Sequence, residues 1–190
     1  MQLVTDEPKG FGGIFAYGKF FGVRNYVVIA GKKDATFDER VGYYGEQLVL
    51  YAQTLGLNTC WAGLSYRKVP GTYTLAAGEQ ISCYIAIGYG ETQGVAHRIR
   101  AAADVSNAGP DTPQWFLDGV NAALLAPTAI NQQKFRFEYI APKTASDKAK
   151  VMAQKGFSII GYTKIDLGIA KCHFEIAAGT DNFEWMVSTT

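Results

Sequence analysis

Pro127 limits the possible folds more than any other single residue. It stands at the end of an apolar run, Leu124-Leu125-Ala126. It opens a polar turn, Thr128-Ala129-Ile130-Asn131-Gln132-Gln133-Lys134, that leads into Phe135-Arg136-Phe137. Proline has no N–H and its ring clashes with a continuing helix, so the run predicts a helix that ends at Ala126. Phe135 to Ile140 then alternates and predicts a half-buried strand. A turn held between a helix and a strand can present Thr128 and Asn131 to a flat polar ligand. The same residues also suit an ordinary helix-to-strand loop, and spacing alone does not separate the two readings.

Composition narrows the classes. The 190 residues are 48% hydrophobic and 18% charged, which favours a folded domain over a disordered chain. A net charge of +1 argues against nucleic acid or an anionic membrane as the main partner. No apolar run approaches the ~20 residues of a membrane span. Asp6, Glu7 and Pro8 break any leader pattern at the start. Cys60, Cys83 and Cys172 are widely spaced and odd in number, so the reading is a reducing cytoplasm with no disulfide framework.

The elements follow from local patterns. Gln2–Val4 reads as a strand end, and Lys9–Gly22 as an irregular glycine-rich loop with at most one helical turn. Asn25–Ala30 is β-branched and reads as a buried strand. Thr36-Phe37-Asp38-Glu39 has the spacing of a capping box, opening a helix that runs to about Leu55 with Gly56 as its terminating glycine. Leu48, Val49, Ala52 and Leu55 share a helical face. Gly42 and Gly45 inside that helix point to a close neighbour, another helix before a bound ligand. Leu57–Gly63 reads as a turn. Glu79–Ile87 is apolar on both faces and suits a central strand. The glycines of Gly88–Gly94 have the wrong spacing for a dinucleotide loop and need only a sharp turn.

His97-Arg98-Ile99-Arg100 and then Ala101–Gly109 read as a solvated connection between two halves. Asp111 or Thr112 would cap the next helix, with Pro113 near its first position. Phe116, Val120, Ala123 and Leu124 form its apolar stripe. Ala141–Gly156 is either a short helix or a loose hairpin. Asp166 would cap a last, buried helix, Leu167–Ala178, ended by Gly179, with Phe183 and Trp185 closing on the core. The class expected is α+β: a mixed sheet containing Asn25–Ala30, Ile81–Ile87 and Phe135–Ile140, flanked by three helices.

Three stretches carry a family likeness. Ala126-Pro127-Thr128-Ala129-Ile130-Asn131-Gln132-Gln133-Lys134-Phe135 resembles the Ala-Pro-Ser-x-x-Asn-x-Gln-Pro-Trp signature of the nitroreductase-like FMN flavoproteins. Thr128 replaces Ser there, and Lys134-Phe135 replaces Pro-Trp. Leu55-Gly56-Leu57-Asn58-Thr59-Cys60-Trp61-Ala62-Gly63 is similar to a Leu-Gly-Leu-x-x-Cys-Trp-x-Gly segment of the same family. Ile165–Phe174 looks like part of the second half of a nitroreductase subgroup built from two similar halves. The likeness implies one nitroreductase-like domain over residues 1–190, with half-domains of about 1–100 and 101–190 and a weak internal duplication. In that subgroup a segment with phosphate-binding arginines precedes the first strand. This chain begins at that strand, so the segment is either missing or dispensed with.

The resemblance also implies a site. Pro127, Thr128, Ala129 and Asn131 would lie along the edge of an FMN ring. Ala62 and Gly63 would bring backbone N–H groups to it, and Arg98 and Arg100 would reach the phosphate. NAD(P)H would supply hydride, and a small electron acceptor such as a nitroaromatic or quinone would remove electrons. A homodimer or domain-swapped assembly is the expected partner state. No catalytic side chain and no metal site are assigned. Cys172-His173 has no partner at metal spacing. His173 reads as a satisfied buried histidine, and the cysteines as small buried hydrophobes. The competing class is a non-catalytic flavin-binding or scaffold protein with the same fold.

Overall fold

Val27, Val28 and Ile29 are β-branched and nearly inaccessible to water, and they form the middle of a strand in the computed structural model of the protein. The structure describes residues 1–11, 20–144 and 146–186. The chain divides into two compact units, residues 1–37 with 47–95 and residues 38–46 with 96–190.

The first unit is built on an antiparallel four-stranded sheet. Its strands are β1 (Gln2–Val4), β2 (Tyr26–Lys32), β3 (Asn58–Ala62) and β4 (Glu79–Gly88), in the order β1-β2-β4-β3. β4 is central, as its two-faced apolar pattern requires. Cys83, Tyr84, Ile85 and Ala86 are buried in succession. Val4, Phe11, Tyr26, Val28, Ala62, Tyr84 and Ala86 form one core cluster. Within it Tyr84 stacks on Tyr26 and on Tyr66, with ring centroids 4.9 and 4.1 Å apart. β3 falls where a turn was expected. Asn58–Ala62 is too short to show a period, and it is defined by pairing with β4. The irregular stretch after β1 opens with a 3-10 turn at Pro8–Gly10; residues 12–19 of it lie outside the described residues.

α1 (Phe37–Thr54) supplies residues to both units. Gly56 follows it at φ +74°, the left-handed position that a helix end assigns to glycine. The capping box does not form. Thr36 makes no side-chain cap bond, and its hydroxyl instead donates to Asp34 Oδ1 at 2.9 Å. The buried face also differs from the expected one. It runs through Val41, Gly42, Gly45, Glu46 and Ala52, while Leu55 is exposed.

The second unit holds α2 (Ala102–Val105), α3 (Gln114–Ala123), β5 (Phe135–Ile140), β6 (Ala149–Lys155), α4 (Thr163–Ala178) and β7 (Phe183–Trp185). Phe135–Ile140 is the strand expected, but it belongs to a separate sheet, β5-β6-β7. Among its described residues the ambiguous stretch 141–156 is neither a helix nor a hairpin of its own: it supplies the strand β6, antiparallel to β5, while β6 and β7 are parallel. The α+β class therefore holds with its strands shared between two sheets. Phe116, Val120, Ala123 and Leu124 are all buried, as their spacing predicts. The Phe174 ring stacks on Phe137 at 4.8 Å and lies over Gly119, where a methyl group would come within 2.7 Å of it. Full burial of each such aromatic contributes about 1.5–3 kcal/mol. The connection after residue 100 is less solvated than expected, because Val105 and Ser106 are buried and Ser106 bridges to Phe137. α3 starts one residue late, at Gln114, with no side-chain cap.

Candidate functional site

The turn after α3 takes an unusual backbone path. Ile130, Asn131 and Gln133 have φ of 48°, 57° and 45°. The left-handed region is costly for a residue with a side chain, most of all for β-branched Ile130. Such residues persist only where the surroundings over-determine them, at ~1–3 kcal/mol each. Two buried side chains supply that constraint.

The first is Gln133, 2% exposed. Its backbone N–H donates to Thr128 Oγ1 at 3.0 Å. Its side-chain amide donates to the Arg98 carbonyl at 2.7 Å and to Asn131 Oδ1 at 2.7 Å. Its Oε1 accepts the Arg100 N–H at 3.0 Å. Asn131 Nδ2 also donates to the Arg98 carbonyl, at 2.8 Å. One buried residue, through its backbone N–H and its side-chain amide, thus ties together Thr128, Asn131, Arg98 and Arg100, four of the residues expected at the site.

The second is Asp166, also 2% exposed. It is not the helix cap expected. α4 begins at Thr163 behind a left-handed Tyr162, and Asp166 lies within the first turn. Its carboxylate accepts the Ala129 N–H at 3.0 Å on one oxygen and Gln132 Nε2 at 2.6 Å on the other. Burial pushes its pKa above the ordinary value, and these two hydrogen bonds pull back against that rise. Gln132 Nε2 donates as well to the Gly161 carbonyl at 3.0 Å, while Gln132 Oε1 is buried without a hydrogen-bond partner among the described residues.

Other expected residues have simpler settings. Pro127 is exposed and Ala129 half-buried. Arg98 and Arg100 are exposed, and Arg100 lies 3.8 Å from Asp104 in an i,i+4 pair. Ala62 and Gly63 belong to the first unit: Ala62 is the buried last residue of β3, opposite Tyr84, and half-buried Gly63 follows the strand end. His173 is satisfied as expected, its Nε2 2.8 Å from buried Glu46 Oε1. Cys83 and Cys172 are buried, but Cys60 is exposed on β3, at the edge of its sheet. Among the described residues no cluster of metal-ligand type occurs, and no helix is long and apolar enough to cross a membrane.

The remaining hydrogen-bonding capacity of the turn can be stated atom by atom. Thr128 Oγ1 accepts one bond and keeps its hydroxyl hydrogen to donate. Asn131 Nδ2 gives one hydrogen to Arg98 and keeps the second. The Ala129 N–H is taken by Asp166. The exposed turn therefore offers two side-chain donors beside the apolar faces of Pro127 and Ile130.

Comparison with known proteins places this turn in context. The model of the family described as "Putative TM nitroreductase" matches residues 1–178. The chain belongs to that family. The family's description is that of an oxidoreductase. The structure is also similar to the crystal structure of a "putative nitroreductase" from Thermotoga maritima, with a TM-score of 0.59 and 20% identity, over 92% of this chain and 68% of that one. At that identity the likeness speaks for the α+β fold. No curated protein matches the chain.

Sequence reasoning missed Gln132, Gln133 and Asp166 as site-building residues. Gln133 had a signal, since the signature has Gln at that place. The Gln132–Asp166 pairing had none, because 34 residues separate the partners and only the fold brings them together.

Proposed function

We propose that the protein is an FMN-dependent oxidoreductase of nitroreductase type, using NAD(P)H as donor and a nitroaromatic, quinone or similar small acceptor. The observation that carries this reading is the Gln133 network, which draws Thr128, Asn131 and the Arg98–Arg100 segment into one hydrogen-bonded turn. A flavin, when bound, would supply the redox chemistry, so the protein needs to contribute orientation and charge instead of an acid–base pair. Thr128 and Asn131 would donate to the polar edge of the ring, with Pro127 and Ala129 beside it. Arg98 would meet the phosphate. Arg100 would do so by leaving Asp104, an exposed pair that holds it by less than about 1 kcal/mol. Ala62 and Gly63, which the resemblance also implies as flavin contacts, stand at the end of β3 in the first unit.

We propose half-domains of about 1–100 and 101–190, a reading supported by the two compact units although residues 38–46 group with the second, and we propose the cytoplasm as the location. We propose a homodimer, supported by the exposed apolar side chains of Phe157, Ile159 and Ile160 between β6 and α4. The second reading is a non-catalytic flavin-binding or scaffold protein with the same fold.

Titration of the purified protein with FMN, followed by anaerobic NAD(P)H, tests the proposal. Flavin fluorescence should be quenched on binding, and the visible absorbance should bleach with the nicotinamide. Binding without bleaching would favour the non-catalytic reading. No uptake of FMN would remove both.

A further inference from the structure

We infer that Asp166 is a positioning residue for the flavin site proposed above: its carboxylate, carried on α4, holds residues 129–132 in the left-handed path that sets the places of Thr128 and Asn131. The inference rests on that functional reading for its ligand and on geometry for its hold. Asp166 meets the turn at two points, the Ala129 N–H and Gln132 Nε2, and the left-handed Ile130 and Asn131 lie between them. An aspartate in the first turn of a helix ordinarily serves that helix's own N–H groups or its dipole. Here both oxygens accept from a segment more than thirty residues away in sequence.

Gln132 shows how specific the clamp is. Both hydrogens of its amide are spent, on Asp166 and on the Gly161 carbonyl, and its Oε1 is left buried without a partner among the described residues. Turning the amide over would satisfy nothing, because it would set Oε1 against a carboxylate and a carbonyl. An acceptor at Asp166 Oδ2 therefore fixes the amide's orientation. Asparagine at 166 could still accept from Ala129, but its NH2 would face the Gln132 NH2, donor against donor. Asp166→Asn thus keeps the shape and removes one of the two holds, and Asp166→Ala removes both.

The experiment compares wild type, Asp166→Asn and Asp166→Ala by hydrogen–deuterium exchange of the ligand-free protein and by FMN titration, with urea unfolding to normalise for the folded fraction. Peptides covering 127–134 should exchange at least tenfold faster in both variants, while β5 and β6 keep wild-type protection. FMN affinity per folded molecule should fall about tenfold, the equivalent of one hydrogen bond. Wild-type exchange in 127–134 in the asparagine variant would overturn the inference. So would faster exchange with unchanged FMN affinity, since a merely structural role would leave the ligand untouched. If wild type takes up no FMN, the functional reading fails on that result alone. Asp166 then loses its ligand role, and the exchange data separately decide whether it holds the turn.

Discussion

Gly42 of α1 and Gly168 of α4 each face the backbone of the other helix. A methyl group on Gly42 would collide with the Ile165 carbonyl oxygen, and one on Gly168 with that of Glu39. The two helices meet main chain to main chain, with Glu39 paired to Lys171 at 2.7 Å, His173 to Glu46, and Tyr43 hydrogen-bonded to Glu175 around the contact. The asymmetry between these residues and ordinary helix glycines sets the first prediction. Alanine normally favours a helix over glycine by ~1 kcal/mol. Backbone atoms cannot rotate away, so overpacking at ~1–3 kcal/mol or more should win. Gly42→Ala and Gly168→Ala should each lower the unfolding free energy in urea by about 2 kcal/mol. Gly109→Ala, with open space around it, should change it by less than about 0.5 kcal/mol.

The His173–Glu46 pair lies on the same interface, Glu46 buried and His173 half-buried, with side-chain exposures of 1% and 13%. Screening by salt reaches such a pair far less than a surface pair. A double-mutant cycle with His173→Ala and Glu46→Ala should give a coupling of about 1–3 kcal/mol. The same value at low and high salt is expected. A coupling that vanishes in high salt would mean that water reaches the pair.

How much of this was legible in sequence depends on the range of the interaction. Phe135–Ile140 and the Phe116–Leu124 stripe could be read because strand and helix periods are local properties. Gly42 could be read as a close contact, since a helix-interior glycine is costly without a reason. β3 and the true buried face of α1 could not be read, since a strand edge and a glycine contact are defined by their partners. Asp166 was misread for a related reason. Its position near the start of α4 suited a cap, and only the fold shows that its carboxylate serves Ala129 and Gln132. The site network was half legible: Asn131 and Thr128 stood out as turn residues, but the joining role of Gln133 depends on Arg98 and Arg100 coming from another segment.

Asp166 should leave a signature in the pH dependence of stability. Its pKa is raised by burial above 3.8, so the native state holds its proton more tightly than the unfolded chain. Stability from this group is fully present below the unfolded value and is lost as pH rises through the higher native value. At neutral pH the carboxylate is a net cost. Urea unfolding of wild type and Asp166→Asn without ligand, from pH 4 upward, should show wild type losing ground to the variant as pH rises and then levelling off. A constant difference across that range would mean that Asp166 is solvated in solution.

Gln133→Glu tests the turn network with nearly no change of shape. The native amide nitrogen donates to the Arg98 carbonyl and to Asn131 Oδ1, both acceptors, while Oε1 accepts from the Arg100 N–H. A carboxylate keeps the Arg100 bond and sets a negative oxygen against two acceptors in a site 2% exposed. Leaving buried acceptors facing a charge costs about 1–3 kcal/mol or more. The variant should therefore lose at least ~2 kcal/mol in urea at pH 8. Protonation gives the glutamate one O–H, enough to serve one of the two acceptors, so part of the loss should return near pH 5. The glutamate's native pKa is raised by this arrangement, and stability is lost as pH rises through it. Asn131→Ala, at an exposed position where water can replace the amide, should cost less, about 0.5–1 kcal/mol, with little dependence on pH. Equal losses in the two variants, both independent of pH, would show that Gln133 is hydrated and that the turn is held by Asp166 alone.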